Sequence, residues 1–428
     1  MKNKDHFKNK LVIVAGLARS GLACANLLFS LGAKVGVTDS IDNESTRNNA
    51  KKLKSKDIKL ELGKHSEDFI KGNDLLVLSP GVPNDSGAVL IASKHKIPVI
   101  SEIELASDLC PATIIAVTGS SGKTTVTTLI GKVLQASGRK AFVCGNIGNP
   151  FAGEVEKMRE GDFVSLEVSS FQLETIKGFK PKISVILNFS PNHLDRYKSL
   201  EDYYRAKKRI FLNQDKEDYL VINRQDPLST GMAGEVKAQI AYFTQTNSLN
   251  PNHAAVLAVA AILGIDEKIA LSVFREFKGL PHRMESIAEI NNISFINDSK
   301  ATTADSTLWA LRNIDRPIIL IAGGKDKGVD YTAISALAKE KVKKIILIGE
   351  AKKKISGALN GVVPTEEAGS LEDAVNKAFG IAKKGDCVLL SPMCSSFDMF
   401  ANYEERGVSF KKAVLGLAKE RCLDGKKS

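Results

Sequence analysis

The chain has 428 residues, 43% apolar and 25% charged, with a formal charge of +11 at pH 7. That length predicts two or three domains, each able to bury its own core. The lysines are scattered (Lys51-Lys52, Lys343-Lys344, Lys352 to Lys354, Lys426-Lys427) without aromatic interleaving, which argues against nucleic acid and for a solvated surface suited to anionic nucleotides.

Six cysteines show no CxxC pair, so a disulfide or metal-ribbon scaffold is not expected and reduced thiols are. Met1 to Lys10 is polar, and no apolar run approaches the ~18 residues of a membrane span. These features predict a cytoplasmic protein without membrane insertion.

From Lys10 the chain reads Leu11-Val12-Ile13-Val14-Ala15-Gly16-Leu17-Ala18-Arg19-Ser20-Gly21, then an apolar-periodic helix, then Lys34 to Asp39. This is a βαβ opening with an acid after the second strand, similar to the fingerprint in which that acid binds a ribose. Ala18 replaces the middle glycine, which favours a Rossmann-like nucleotide pocket over a nicotinamide site. Asp74 to Leu78 predicts another strand, ended by the tight turn Ser79-Pro80-Gly81. Residues 1–110 therefore form a first, Rossmann-like α/β domain.

A second domain, 111–278, opens on the β-branched run Ala112 to Val117 and continues into Thr118-Gly119-Ser120-Ser121-Gly122-Lys123-Thr124-Thr125, followed by a helix closed by Gly138. Strand, glycine loop, Lys-Thr and helix make a phosphate cradle. Backbone N–H groups face the anion, the lysine reaches the outer phosphates, and the threonine can hold Mg²⁺. The spacing is short: a phosphate loop usually has glycine where Val117 stands. Strands are expected at Phe163 to Val168 and Ile183 to Asn188, and a helix at Asn250 to Gly264. Arg224 to Asn247 is weakly patterned and polar, and reads as irregular. The third domain, 279–428, has strands at Ile293 to Asn297, Pro317 to Ala322, Lys344 to Ile348 and Cys387 to Leu390, alternating with helices. The fold class is α/β, with a Rossmann-like N-terminal domain, a central P-loop ATPase-type domain and a C-terminal Rossmann-like α/β domain, all with parallel, doubly wound sheets.

The chemically unusual clusters nearly all follow strands: Ser79 to Gly81, Thr118 to Thr125, Glu167 to Ser170, Asn188 to His193, Asp298 to Thr303, Gly323 to Lys327 and Ser391 to Ser396. Ligands of open parallel sheets bind outside the carboxyl ends of the strands, so one shared cleft is expected. Glu167 ends a strand and is placed to bind Mg²⁺ beside Thr124. His193 follows another strand directly. Lys207 falls on the apolar stripe of the helix Leu200 to Phe211, whereas Lys208 points away. Two readings of Lys207 stay open: a packed stem whose ammonium snorkels to an acid, or a desolvated amine of lowered pKa that captures CO₂ as a carbamate.

These motifs resemble the muramyl ligase (Mur ligase) family, and within it the D-glutamate-adding branch, from about Leu11 to Ala418. The resemblance rests on Gly119 to Thr125, Gly145-Asn146-Ile147-Gly148, Leu166 to Glu174, His193-Leu194-Asp195-Arg196-Tyr197, Gly279 to Glu285, Asn297 to Thr302, Gly323 to Lys327 and Leu390 to Ser396. The shortened phosphate loop is itself this family's form. The resemblance implies a cytoplasmic, monomeric enzyme of peptidoglycan precursor synthesis. ATP would phosphorylate the carboxylate of UDP-N-acetylmuramoyl-L-alanine, and the amine of D-glutamate would attack the acyl phosphate through a tetrahedral intermediate.

By the same resemblance, Lys123, Glu167, His193 and Lys207 are the catalytic residues. Lys207 is carbamylated by CO₂, and Thr124, Glu167, His193 and Lys207 hold two Mg²⁺ ions. Gly119, Ser120, Ser121, Gly122, Lys123, Thr124 and Thr125 hold the ATP phosphates, Asn252 the adenine, and Arg283, Asp298 and Lys300 the ATP side of the third domain. Arg19, Ser20, Asp39, Ser40, Ser79, Pro80 and Gly81 match the uridine and diphosphate pocket, and Asn146, Ser169 and His193 contact the same substrate. Thr302, Lys327 and Ser396 match the D-glutamate pocket. His282 or a carboxylate could take the proton of the incoming amine. Two positions depart from the family pattern: Ser248-Leu249 stands where relatives carry His-Asn, and Thr303 replaces an asparagine.

Three alternatives fit the sequence less well. Another muramyl ligase lacks support because the Asp-Asn-Pro-Arg signature of the diaminopimelate-adding enzymes is absent, and a folate polyglutamate ligase does not explain the Rossmann-like first domain. A nicotinamide oxidoreductase leaves the phosphate loop, Glu167, His193 and Lys207 without a purpose. A binding protein without catalysis does not need all four.

Overall fold

The computed structural model describes residues 1–189, 197, 199–246, 249–326 and 328–424, the last seven of these by backbone alone. The chain divides into two compact units, Met1–Phe277 and the remainder from Lys278.

The first unit contains two parallel sheets. Strands β1 (Leu11–Ala15), β2 (Lys34–Asp39), β3 (Lys59–Leu62), β4 (Leu75–Leu78) and β5 (Val99–Ser101) are ordered β3-β2-β1-β4-β5. Strands β6 (Thr113–Thr118), β7 (Ala141–Gly145), β8 (Phe163–Glu167), β9 (Ile183–Ile186), β10 (Tyr219–Asn223) and β11 (Gln239–Phe243) are ordered β11-β10-β9-β6-β8-β7. Central strands such as β6 are apolar on both faces because helices cover both. On one face Ile115 and Val117 pack with Val126, Leu129 and Val133 of the helix Lys123–Ala136 and with Ala255 and Val259 of the helix Pro251–Ile262.

The other face joins the two sheets. One continuous core runs from Val12 and Leu28 through Ile103 to Phe151 and Leu166, so the residues on either side of position 110 share their burial. Glu102 lies at this seam, fully buried at the start of the helix Glu102–Leu109. Its Oε1 accepts the N–H of Ala152 at 2.7 Å, in the first turn of the helix Phe151–Glu154. Close backbone approach is built into the β1 turn as well. A Cβ on Gly21 would lie 1.7 Å from the carbonyl oxygen of Gly16, so only glycine fits.

The stretch expected to be irregular contains β11 and the helix Pro227–Gly231, whose N-cap Asp226 accepts from Leu228 N. The sequence pattern is weak there because β11 is an edge strand on which only Phe243 is buried, so it needs no apolar run.

The second unit has one sheet of β12 (Glu285–Ile290), β13 (Ile293–Asn297), β14 (Ile318–Gly323), β15 (Val342–Ile348), β16 (Thr365–Glu367) and β17 (Cys387–Leu390), ordered β12-β13-β17-β14-β15-β16. It is not wholly parallel, as the strand-helix alternation had suggested. Strand β12 runs antiparallel to β13 through the two-residue turn Asn291-Asn292, with φ of 53° and 61°. Asparagine tolerates this left-handed geometry, which is the hairpin turn that matches strand twist. Among the described residues no helix is long and apolar enough to cross a membrane.

Glu102 gives a test of the seam. Burial raises its pKa to about 7, and the buried thiols Cys24 and Cys144, themselves pushed up chiefly by burial, lie within its influence. A folded pKa above the unfolded value of 4.5 means that ionisation opposes folding. That penalty is absent below pH 4.5, grows to pH 7 and is complete above it. Denaturant unfolding at pH 5 and pH 8 is expected to show Glu102→Gln recovering roughly 3 kcal/mol relative to the parent at the higher pH only. Equal differences at both pH values would contradict this account.

Candidate active site

Three adjacent strands of the second sheet, β9, β6 and β8, deliver a cluster of polar groups at their carboxyl ends. The phosphate loop turns out of β6 at Gly119 (φ 154°) and enters the helix at Gly122 (φ 80°). Both angles belong to glycine. A Cβ on Gly122 would lie 2.5 Å from Asn252 Oδ1, so the loop and the helix Pro251–Ile262 are packed without spare room.

Asn188, just past β9, holds this loop. Its Oδ1 accepts from Ser120 N at 3.1 Å and Ser121 N at 2.9 Å, and its Nδ2 donates to Ser121 O at 3.3 Å. The sequence reading named Asn188 only as the start of a strand-end cluster. An asparagine directly after an apolar strand beside a phosphate loop was the available signal.

Two ammonium groups converge on one carbonyl. Lys123 Nζ donates to Gly119 O at 2.8 Å and to Ser120 O at 3.2 Å, while Lys207 Nζ donates to Gly119 O at 3.0 Å. Lys207 is 1% exposed and its Nζ stands 4.5 Å from the centre of the Tyr203 ring. Tyr203 in turn places its OH 3.2 Å from Ser120 Oγ. Burial, reinforced by the charge of Lys123, drives the Lys207 pKa well below that of an ordinary lysine. Among the described residues its bonded partner is a carbonyl, not the acid that a snorkelling stem would seek. The periodicity reading of 207 inward and 208 outward agrees with the burial of each.

Glu167 closes β8 beside this pair. Its Oε1 accepts Asn146 Nδ2 at 2.7 Å, and its buried Oε2 has no hydrogen-bond partner among the described residues. The Thr118 hydroxyl is orphaned in the same way, and Thr124 is buried at the start of the helix. A desolvated carboxylate oxygen left without a donor suits a hard divalent cation, which takes oxygen ligands. Among the described residues no three His, Cys, Asp or Glu side chains form a ready metal cluster. His193 lies outside the described residues, as does Ser248. Leu249, its neighbour, packs against the apolar core, and Asn250 caps the following helix.

At the first sheet, Asp39 Oδ2 accepts Leu17 N at 2.6 Å and Oδ1 accepts Ile41 N at 2.9 Å, so the acid fastens the turn after β1. Ser79 Oγ donates to Gly16 O at 2.9 Å. Arg19 Nη1 donates to Gly148 O at 3.4 Å, joining this turn to the one after β7. Ser20, Ser40, Pro80 and Gly81 are partly or fully exposed beside them. The Ser169 hydroxyl caps the helix Ser170–Leu173, accepting from Gln172 N.

In the second unit Asp298 follows β13 and is 5% exposed. Burial lifts its pKa to about 7 although Ser391 Oγ and Met284 N both donate to it. The neighbouring Arg283 has a buried Nε without a partner among the described residues. Lys300 Nζ stands 5.5 Å from the Tyr403 ring centre, and Ser396 is buried. Thr302 is half-buried and Lys327 lies outside the described residues. His282 Nδ1 sits 3.1 Å from the Asn297 amide nitrogen, which also lies within hydrogen-bond distance of Glu285 Oε2 and Gly407 O. Thr303, the other departure from the family pattern, caps the helix Ala304–Arg312, a task threonine and asparagine share.

Comparison with known proteins agrees with this arrangement. The Mur ligase MurD-like N-terminal domain matches residues 10–101, the Mur ligase middle domain 117–278, and the Mur ligase glutamate ligase domain 282–394. The chain is 42% identical to the UDP-N-acetylmuramoylalanine--D-glutamate ligase of Thermoanaerobacter pseudethanolicus over 96% of this chain and 99% of that protein. It is 43% identical to the protein of the same name from Geotalea uraniireducens, over 96% and 98%. Among solved structures it resembles UDP-N-acetylmuramate-alanine ligase MurC from Thermotoga maritima, with a TM-score of 0.61 and 18% identity over 95% of this chain and 99% of that one. A pseudomurein peptide ligase type C from Methanothermus fervidus gives 0.57 and 19%, over 96% and 100%. With three family domains in order along a chain this similar to its relatives end to end, the protein belongs to the Mur ligase family.

Proposed function

We propose that this protein is an ATP-dependent amide ligase that adds D-glutamate to UDP-N-acetylmuramoyl-L-alanine in peptidoglycan precursor synthesis, acting in the cytoplasm as a monomer. The observation that carries this reading is the convergence of Lys123 and Lys207 on Gly119 O beside the orphaned oxygen of Glu167. Crowded cations next to an unsatisfied carboxylate oxygen suit a reaction that must bring two anions together, a nucleotide phosphate and a carboxylate.

In this reading residues 1–110 hold the UDP end of the substrate, 111–278 hold ATP, and 279–428 hold the incoming amino acid. Gly119 to Thr125 wrap the phosphates and Asn252 meets the adenine. On binding, Lys123 exchanges its two carbonyl acceptors for phosphate oxygens and neutralises the transferring γ-phosphoryl group. The muramoyl-alanine carboxylate takes that group, and the acyl phosphate is then open to the amine of D-glutamate. Thr124, Glu167, His193 and Lys207 would hold two Mg²⁺ ions, which supply charge neutralisation for phosphate and carboxylate oxygens.

Lys207 has the properties that carbamylation needs. Its amine is buried, has a lowered pKa and has no acid bonded to it among the described residues. A neutral amine adds to the carbon of CO₂, forms an N–C bond and loses a proton. The product replaces an unwanted cation by an anionic oxygen ligand. Asn146 orients Glu167, and Asn188 keeps the Ser120 and Ser121 amides aligned.

Three measurements test this. ADP release is expected to require UDP-N-acetylmuramoyl-L-alanine, and amide product to form with D-glutamate from a panel of L- and D-amino acids; equal turnover of L-lysine or diaminopimelate would remove the acceptor assignment. Lys207→Ala is expected to abolish ligation, with partial recovery in short carboxylic acids, and full activity of that variant would contradict the carbamate. Asn188→Ala is expected to raise the KM for ATP about tenfold, because the Ser121 amide loses its acceptor and the Ser120 amide keeps only the carbonyl of residue 188. An unchanged KM for ATP would show that the loop keeps its shape without Asn188.

A further inference from the structure

One acid of the first unit joins two parts of the candidate site, and none of the roles above uses it. Glu174 follows the short helix Ser170–Leu173, whose cap is Ser169. Its Oε2 accepts from Asn84 Nδ2 at 2.5 Å, and its Oε1 accepts the hydroxyl of Tyr197 at 2.5 Å. Asn84 stands in the turn that follows β4 and carries Ser79-Pro80-Gly81. Tyr197 closes the motif that begins at His193. The Tyr197 ring stacks on Phe171 with centres 5.8 Å apart, and lies 5.3 Å from the ring of Tyr203. Tyr203 is the residue that faces Lys207 and Ser120.

Neither part needs this clasp for its own shape. The Ser79 turn is fastened to the first sheet: Ser79 N donates to Ala15 O at 3.0 Å, Ser79 Oγ to Gly16 O at 2.9 Å, and Val82 N closes on Ser79 O at 3.0 Å. The turn after Glu174 is held from elsewhere. Glu104 accepts three successive amides, Lys177 N at 3.0 Å, Gly178 N at 2.6 Å and Phe179 N at 3.0 Å. Arg209 donates to Leu173 O at 2.8 Å and to Ile176 O at 2.6 Å. What the Glu174 carboxylate adds is the separation between the two parts. Asn84 is exposed, so its bond to Glu174 adds little to stability. Its worth lies in geometry, because a displacement of about 1 Å in a bound substrate can cost about a hundredfold in rate.

We infer that Glu174 is a positioning residue that sets the span of the UDP-substrate's site. It holds the turn proposed for the diphosphate at a fixed distance from Ser169 and Tyr197, beside the lysine where the muramoyl-alanine carboxylate reacts. The site is thereby fitted to a nucleotide sugar whose acyl arm has that reach. This rests on the ligase reading and adds a residue to it.

The test uses the full chain and two ligands of different length: UDP by calorimetry, and UDP-N-acetylmuramoyl-L-alanine in turnover with ATP and D-glutamate saturating. Asn84→Asp sets a carboxylate against Glu174 and is expected to raise the KM for the longer ligand about tenfold, the loss expected when a hydrogen bond to a charged group becomes a like-charge contact. The Kd for UDP should stay within about twofold, since UDP reaches only the pocket of the first sheet. Adding Glu174→Gln to Asn84→Asp exchanges donor and acceptor: the new amide donates to the new acid, and its oxygen still accepts from Tyr197. That double variant is expected to return the KM to within about threefold of the parent. A parental KM in Asn84→Asp would overturn the inference. So would an equal loss for UDP alone, which would mark damage to the first sheet's pocket, and so would a double variant no better than Asn84→Asp. If Asn84→Asp does not fold, Asn84→Ala decides: a rise of about threefold confined to the longer ligand supports the inference, and no rise overturns it. A parent enzyme that binds UDP but does not turn over UDP-N-acetylmuramoyl-L-alanine would instead overturn the ligase reading.

Discussion

The carbonyl oxygen of Gly119 accepts from both Lys123 and Lys207, and the rest of the first unit is arranged around what that contact requires. Two amines so close repel when both are charged, and burial removes the water that would screen them. One of them must yield its proton or gain an anion. Burial puts the strain on Lys207, because Lys123 is only partly buried at the start of a helix whose loop it caps. The same geometry that weakens Lys207 as a cation makes it available for chemistry. The orphaned Glu167 oxygen nearby has the complementary need, for positive charge.

Holding such groups in place needs a rigid frame. Strands β6, β8 and β9 are wholly or nearly wholly buried, and each ends at the candidate site: at Thr118, at Glu167 and just before Asn188. Parallel register lines these ends up in space, so residues far apart in sequence meet without long loops. Glu102 and the shared core behind β6 make the two sheets of the first unit one body. The second unit repeats the device with β13 and β17, whose turns are bound together by Arg406.

Much of this was legible along the chain. The α/β class, the phosphate loop, the strand-end position of Glu167 and the inward face of Lys207 all follow from local pattern, since apolar periodicity and glycine placement report what a segment buries. Strand β11 escaped notice because an edge strand is not obliged to be apolar, and β12 because a hairpin turn of two asparagines was passed over. Both errors concern sheet edges, where burial imposes least on sequence.

By itself, then, the sequence determined the fold class and the family, because the motifs that carry them depend on short-range spacing. It could not choose between the two readings of Lys207, since pKa is set by what surrounds a group in three dimensions. Only the tertiary structure decided that, among the described residues, its bonded partner is Gly119 O rather than an acid, Asn188 occupies the loop amides, and Glu167 keeps one oxygen unsatisfied. Glu174 reads in sequence as one more acid at the end of a motif. Its place between Asn84 and Tyr197 exists only once the turns after β4 and β8 have been folded together.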